Sequence, residues 1–334
     1  MRIMHVSIRS DIRAFKQSVV MIDRGHQVEI AIPSTQTFGF NAFDLVYLYS
    51  DILHLQRTVR ESKADVFHVH SDPNYLVAAV KEAAGNRPVI HDVHDPESMR
   101  TGQKPDQHEI ESMTVCDGII HVSQGCRAYM EKTHGATKPT VIIHSAVPLA
   151  GYHFNKTANF DAIVYQGGLT TKLHGPDGLT YFRNLQYVVK QFIEQGYQFS
   201  LFAAGTDEID LSYEKMGAFL TRDLNYTTML NALRLHGFGF AGTPVLTPIM
   251  KNAMPNKLFE YISQGVVPVC WNCDEAGAFV KENEIGIWLK GDLTELRIKL
   301  KDGMRIREKL VKRGKEFAME SQAPALENFY RSLI

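Results

Sequence analysis

Lys257 and Glu260 stand three residues apart at what reads as the start of a helix, a spacing that puts an ammonium and a carboxylate on one edge of it. They lie in the segment TPVLTPIMKNAMPNKLFEYISQGVVPVCWNCD, residues 243–274. Pro255 suits a first helical turn, where its missing N–H is not needed, and Gly265 suits the position just past the end, so a helix is expected over 255–264. Leu258, Phe259 and Ile262 fall at helical spacing and are expected to face a core, leaving Lys257, Glu260 and Tyr261 towards the exposed and loop-facing sides. A helix N-terminus already carries partial positive charge, so a lysine in its first turn does not serve the dipole; it suits a bound phosphate. Glu260, one turn on, could accept hydrogen bonds from a ribose diol beside that phosphate. The bland alternative is a solvated i,i+3 ion pair on an ordinary amphipathic helix, contributing roughly a few tenths of a kcal/mol. Residues 268–271 then read as a short buried parallel strand.

A second group is His91-Asp92-Val93-His94-Asp95-Pro96-Glu97. Several titratable groups at a strand's carboxyl end are rarely needed for packing, which makes His94 and Asp95 candidates for catalysis. The spacing of His91, His94 and Asp95 also allows a metal, and charged groups simply facing solvent are the plain alternative to both. In Asp65-Val66-Phe67-His68-Val69-His70-Ser71-Asp72, His68 alternates with apolar neighbours and reads as a half-buried strand residue. His70 and Asp72, nearer the strand's end, could touch an acceptor, as could Arg9 and Arg13 between the first strand and helix, where solvated charge is the alternative. Cys270-Trp-Asn-Cys273 is a C-x-x-C, but Cys116 and Cys126 lie ten residues apart and form no second close pair, so packing at a strand end is a better reading than zinc.

These residues need elements to hold them. Strands are expected over 3–8, 26–32, 65–69, 88–92, 116–122 and 140–144, with helices between them, which is the βαβ rhythm of one Rossmann-like domain over 1–148. Residues 149–158, with Gly151, read as a linker following Pro148. The rhythm restarts over 159–318, with strands near 162–166, 199–203, 237–241, 267–271 and 285–289 and a helix over 179–195. Two such domains in tandem imply sheets facing a cleft, with ligands outside the carboxyl ends of the strands.

Composition agrees with an ordinary globular chain: 44% hydrophobic and 22% charged residues with a formal net charge of −1. That balance gives no reason to expect nucleic acid as a partner. Charges interrupt the N-terminal segment MRIMHVSIRSDIR, and no apolar run reaches the length of a membrane span, so a cytoplasmic protein is expected.

The string PNKLFEYISQGVVPV resembles the P-x-K-x-x-E-Y-x-x-x-G-x-P-V segment of family 4 glycosyltransferases, retaining enzymes of the GT-B fold. The resemblance implies an α/β protein of two Rossmann-like domains whose parallel sheets face an interdomain cleft, with a C-terminal helix, 319–334, crossing back to the first domain. It implies that Lys257 meets the diphosphate and Glu260 the ribose of a nucleotide sugar, with Asn256 and Leu258 in the same donor set. Val164-Tyr165-Gln166-Gly167-Gly168-Leu169 with Lys172 resembles the family's Gly-rich loop, whose glycines let backbone approach a diphosphate. Here Gly168 stands where the family has an arginine, and Lys172 falls about one position early. Asn252 stands where many members carry a glutamate for the donor sugar; an amide can still bond a hydroxyl but supplies no charge. His94 matches the family's histidine that reaches the transferred sugar. The implied activity is hexosyltransferase-like: a sugar moves from a UDP- or GDP-sugar to a carbohydrate or glycolipid acceptor, in glycan or glycoconjugate biosynthesis, with no cofactor and no metal. A glycolipid acceptor would bring it to the inner membrane face. A GT-B nucleotide-sugar epimerase and a non-catalytic nucleotide-sugar-binding relative remain the alternatives.

Overall fold

The computed structural model describes residues 1–9, 11–33, 42–70, 73–155, 157–171, 183–203 and 212–334. They form two compact units, Met1–Pro148 with Met319–Ile334, and Leu149–Ala318.

The first unit is built on strands β1 (Arg2–Val6), β2 (Gln27–Pro33), β3 (Leu45–Tyr49), β4 (Val66–His70), β5 (Val89–Val93), β6 (Gly118–His121) and β7 (Thr140–Ile142), in the order β3-β2-β1-β4-β5-β6-β7. Every pairing is parallel, so each connection has to cross over, and helices such as Ile12–Asp23, Tyr75–Ala84 and Gln124–His134 make the crossings. Strands covered on both faces read as unbroken apolar runs, and β4 and β5 are buried along their whole length. The edge strand β3 lacks that signature, since Leu45 and Leu48 are exposed; it is the strand of this sheet that the sequence pattern does not reveal.

The final helix, Met319–Leu333, belongs to this unit. Its Glu327 pairs with Arg24 and, at 3.2 Å, with His26, and the Tyr330 hydroxyl lies 2.7 Å from His68 Nδ1. Pro324 sits inside this helix. One missing backbone donor is tolerated because buried Ala323, Leu326, Phe329 and Tyr330 hold the helix on its sheet.

The second unit is built on β8 (Asn159–Gly167), β9 (Gln198–Ala203), β10 (Phe219–Arg222), β11 (His236–Phe240), β12 (Val267–Trp271) and β13 (Ile287–Leu289), parallel in the order β10-β9-β8-β11-β12-β13. Phe192, Phe199, Phe238 and Phe240 are buried in its core. Residues 149–155 do not stand apart as a linker: the His153 N–H donates to the Ser263 carbonyl at 3.0 Å, and Gln264 Nε2 to the Gly151 carbonyl at 2.7 Å. In both sheets the strand order reverses beside the first strand of the unit, at β1/β4 and at β8/β11, and such reversals are where open parallel sheets bind ligands. Among the described residues no helix is long and apolar enough to cross a membrane.

Candidate functional site

At the second reversal, β8 runs out into Gly167 and Gly168. Gly167 has φ +130°, a conformation that disfavours any side chain, and a Cβ there would come 3.4 Å from Lys257 Nζ. The Lys257 ammonium therefore lies against the backbone of this turn. It also sits over the Tyr165 ring, 3.7 Å from its centroid, while the Tyr165 hydroxyl donates to the Gly168 carbonyl at 3.0 Å. One aromatic ring thus holds both the lysine and the glycine turn.

Lys257 comes from the helix Asn256–Ser263, which docks on β11 because Gly239 leaves room: a Cβ there would fall 2.5 Å from the Tyr261 ring. Tyr261 is accordingly buried, not loop-facing as its spacing suggests, and its hydroxyl donates to the Phe240 carbonyl at 3.1 Å. Glu260 is also buried, 4% exposed, and its carboxylate accepts a hydrogen bond from Gln166 Nε2. Burial and the facing Glu260 carboxylate hold the Tyr226 phenol well above its ordinary range. Gln166 and Tyr226 thus flank a carboxylate held in place one turn from the lysine.

The other expected donor residues divide. Asn256 opens the helix, and its buried Oδ1 has no hydrogen-bond partner among the described residues. Leu258 is fully buried, as its helical spacing implies, and its N–H donates to the Pro255 carbonyl. Asn252 ends the short helix Pro248–Asn252, with its Nδ2 bonded to the Pro248 carbonyl at 2.8 Å. Lys172 lies outside the described residues.

At the first reversal the residues are mostly interior. Arg13 Nε donates to both Asp92 oxygens, at 3.0 and 2.8 Å, Nη1 to Ser145 Oγ and Nη2 to the Ile143 carbonyl, all buried. Arg13 therefore braces the interior and is not available to an acceptor, contrary to its placement by sequence. Burial alone would raise the Asp92 carboxyl, but the Arg13 guanidinium and the His68 ring outweigh it and hold it well below the carboxylate range. His68, with no exposed surface, bonds Asp92 at 3.0 Å and Tyr330 on its other nitrogen. His70, expected at an acceptor, is likewise fully buried, 2.9 Å from His5, and burial pushes its pKa down to about 3. Asp72 lies outside the described residues.

His94 and Asp95 follow β5 and are half-buried. His94 Nε2 lies 3.6 Å from Asp11 Oδ2, and Asp11 caps the helix Ile12–Asp23 by accepting from the Arg13 N–H. Arg9 nearby is exposed. Among the described residues the groups able to share a cation are His5, His68 and His70, and Asp11, His70 and His94; His91 belongs to neither. The Cys270 and Cys273 thiols are buried, which pushes Cys273 to about 12, away from thiolate chemistry. Asp11, Gln166 and Tyr226 were not singled out in the sequence. Asp11 had a local signal as a helix-capping residue, and Gln166 lay within the glycine motif, but Tyr226 had none.

Residues 17–150 match the family model Glycosyltransferase Family 4. A comparison of the sequence with curated proteins gave no match. Solved structures resemble the chain over its length. Anabaena Alr3699/HepE, in complex with UDP and glucose, has a TM-score of 0.74 at 12% identity, covering 99% of this chain and 100% of that one. Sucrose-phosphate synthase from Thermosynechococcus elongatus has a TM-score of 0.71 at 10% identity, covering 100% and 99%. An alpha-glucosyltransferase in complex with UDP and a 13-mer DNA has a TM-score of 0.70 at 13% identity, covering 99% of each chain. At these identities the likeness is one of fold.

Proposed function

Taking the chain as a family 4-like glycosyltransferase of GT-B fold, we propose that it is a retaining enzyme moving a sugar from a nucleoside diphosphate sugar to a hydroxyl of a carbohydrate or glycolipid, in glycan or glycoconjugate biosynthesis. The reaction breaks the bond between the anomeric carbon and a diphosphate oxygen, and the charge growing on that oxygen needs fixed positive groups. The observation that carries the reading is the Lys257 ammonium held by Tyr165 against the Gly167 backbone, with buried Glu260 one turn further on. Lys257 would meet the diphosphate without a metal. Glu260, held by Gln166, would accept from the ribose hydroxyls. His94, steadied by Asp11, would position or polarise the transferred sugar, with Asp95 beside it. A glycolipid acceptor would bring the enzyme to a membrane surface.

The test is to incubate the protein with UDP- and GDP-sugars and simple glycoside acceptors, with and without EDTA, following released nucleotide and the anomeric configuration of the product. Nucleotide release with retained configuration in EDTA is the expected result. Inverted product overturns the retaining assignment, and loss in EDTA overturns the metal-free one. An isomerised donor would mean an epimerase; nucleotide binding without any product would mean a binding relative.

A further inference from the structure

Gly168 stands where the resembling family has an arginine, yet the space its side chain would fill holds a guanidinium. A Cβ on Gly168 would come 2.8 Å from Nη1, 3.1 Å from Cδ and 3.2 Å from Cζ of Arg183. Arg183 reaches this spot from fifteen residues further along the chain. Its backbone is fixed beside the turn: its carbonyl accepts from the Thr170 N–H at 3.2 Å, and neighbouring Asn184 Nδ2 donates to the Thr171 carbonyl at 3.1 Å. The Tyr213 hydroxyl closes the arrangement, donating to the Thr170 carbonyl and accepting from the Leu185 N–H, both at 2.9 Å. Arg183 is exposed as a residue, with its guanidinium against the turn.

We propose that Arg183 is a diphosphate-binding residue of the donor site, its guanidinium over Gly168 working as a pair with the Lys257 ammonium against Gly167. This rests on the donor-site reading above. A dianionic diphosphate lying across the turn meets one cation at Gly167 and the other at Gly168. The planar guanidinium can bond two phosphate oxygens at once, whereas the ammonium acts as a point charge, so the two are not redundant. Glycine at 168 is then needed because a Cβ there would crowd the guanidinium out of its place.

The experiment is calorimetric titration of UDP, GDP and uridine into the wild type, and of UDP and uridine into Arg183→Ala, Arg183→Lys and Lys257→Ala, with far-UV circular dichroism to confirm folding. Arg183→Ala should weaken UDP by about 10- to 100-fold, the range for a hydrogen bond to a charged group, with uridine changed less than about twofold. Arg183→Lys should recover only part of the loss. Adding Gly168→Arg to Arg183→Ala should recover more, since it returns a guanidinium to the same space. UDP affinity unchanged in Arg183→Ala, or UDP and uridine weakened equally, overturns the assignment. No recovery on adding Gly168→Arg overturns the claim that the two positions serve one phosphate. If Lys257→Ala selectively loses UDP while Arg183→Ala does not, this inference alone falls. A wild type that binds neither UDP nor GDP removes the donor site and this inference together.

Discussion

The two sheets reverse their strand order in the same way, and the two reversals are built from opposite materials. At β1/β4 the space is filled by side chains that bond one another: Arg13, Asp92, His68, His70 and Tyr330, all buried. At β8/β11 two glycines leave backbone uncovered and charged groups gather around it, Lys257 from one helix and Arg183 from beyond the turn. Titratable residues at a strand end therefore do not by themselves mark a ligand site. Where their hydrogen-bonding groups face each other, as Arg13, Asp92 and His68 do, they hold the fold.

The largest expected effect comes from acid. Burial lowers the pKa of His70 and His91 to about 3 and of His121 to about 4, against 6.5 for the free side chain. Between those values the unfolded chain binds more protons than the native one, so the stability these rings contribute is complete above pH 6.5 and is lost as pH falls towards 3. All three lie in the first unit, while both tryptophans, Trp271 and Trp288, lie in the second. Far-UV circular dichroism should therefore begin to fall below about pH 6 before tryptophan fluorescence changes. Coincident transitions would show that the two regions do not differ in this way.

Next in size, Asp92→Ala strands the Arg13 guanidinium in the interior and should cost about 3–5 kcal/mol in denaturant unfolding. Lys257→Ala should stay within about 1 kcal/mol of wild type, because it removes nothing from a core. Similar losses for both would collapse the contrast between a filled reversal and an open one.

Function should divide the other way. His94→Ala should lower turnover by something like 10²-fold, the scale of one positioned polar group, and leave the dissociation constant of UDP nearly unchanged. Lys257→Ala should weaken UDP by about 10- to 100-fold and uridine far less. A His94→Ala protein with normal turnover would make that histidine no more than a partner of Asp11. Equal losses of UDP and uridine in Lys257→Ala would remove its phosphate role.

Much of this could be read from the chain. Apolar runs bounded by glycine placed most of the strands, because a strand buried on both faces has to be apolar throughout, and Pro255 and Gly265 bracketed the helix Asn256–Ser263 closely. One edge strand of each sheet escaped, since β3 and β10 keep exposed faces, with Leu45 and Phe219 both open to solvent. Lys257 with Gly167 was legible as a motif, whereas Arg13 and His70 read as surface groups and lie inside. The family match falls on the first unit, where His94 resembles the family, although the more specific motif, around Lys257 and Glu260, lies in the second.

What the sequence determined by itself is whatever repeats along the chain: the alternation of strand and helix, the division near residue 148, and the turn-and-helix pair that brings glycine and lysine to one sheet end. These follow from local geometry, which leaves a period in the residues. What only the tertiary structure decided is which polar groups face each other. Arg13 meets Asp92 across 79 residues and Gln166 meets Glu260 across 94, and Arg183 takes the space over Gly168. Nothing periodic records such pairs, because each is set by the order in which parallel strands lie side by side, and that order reverses at the places where these side chains meet.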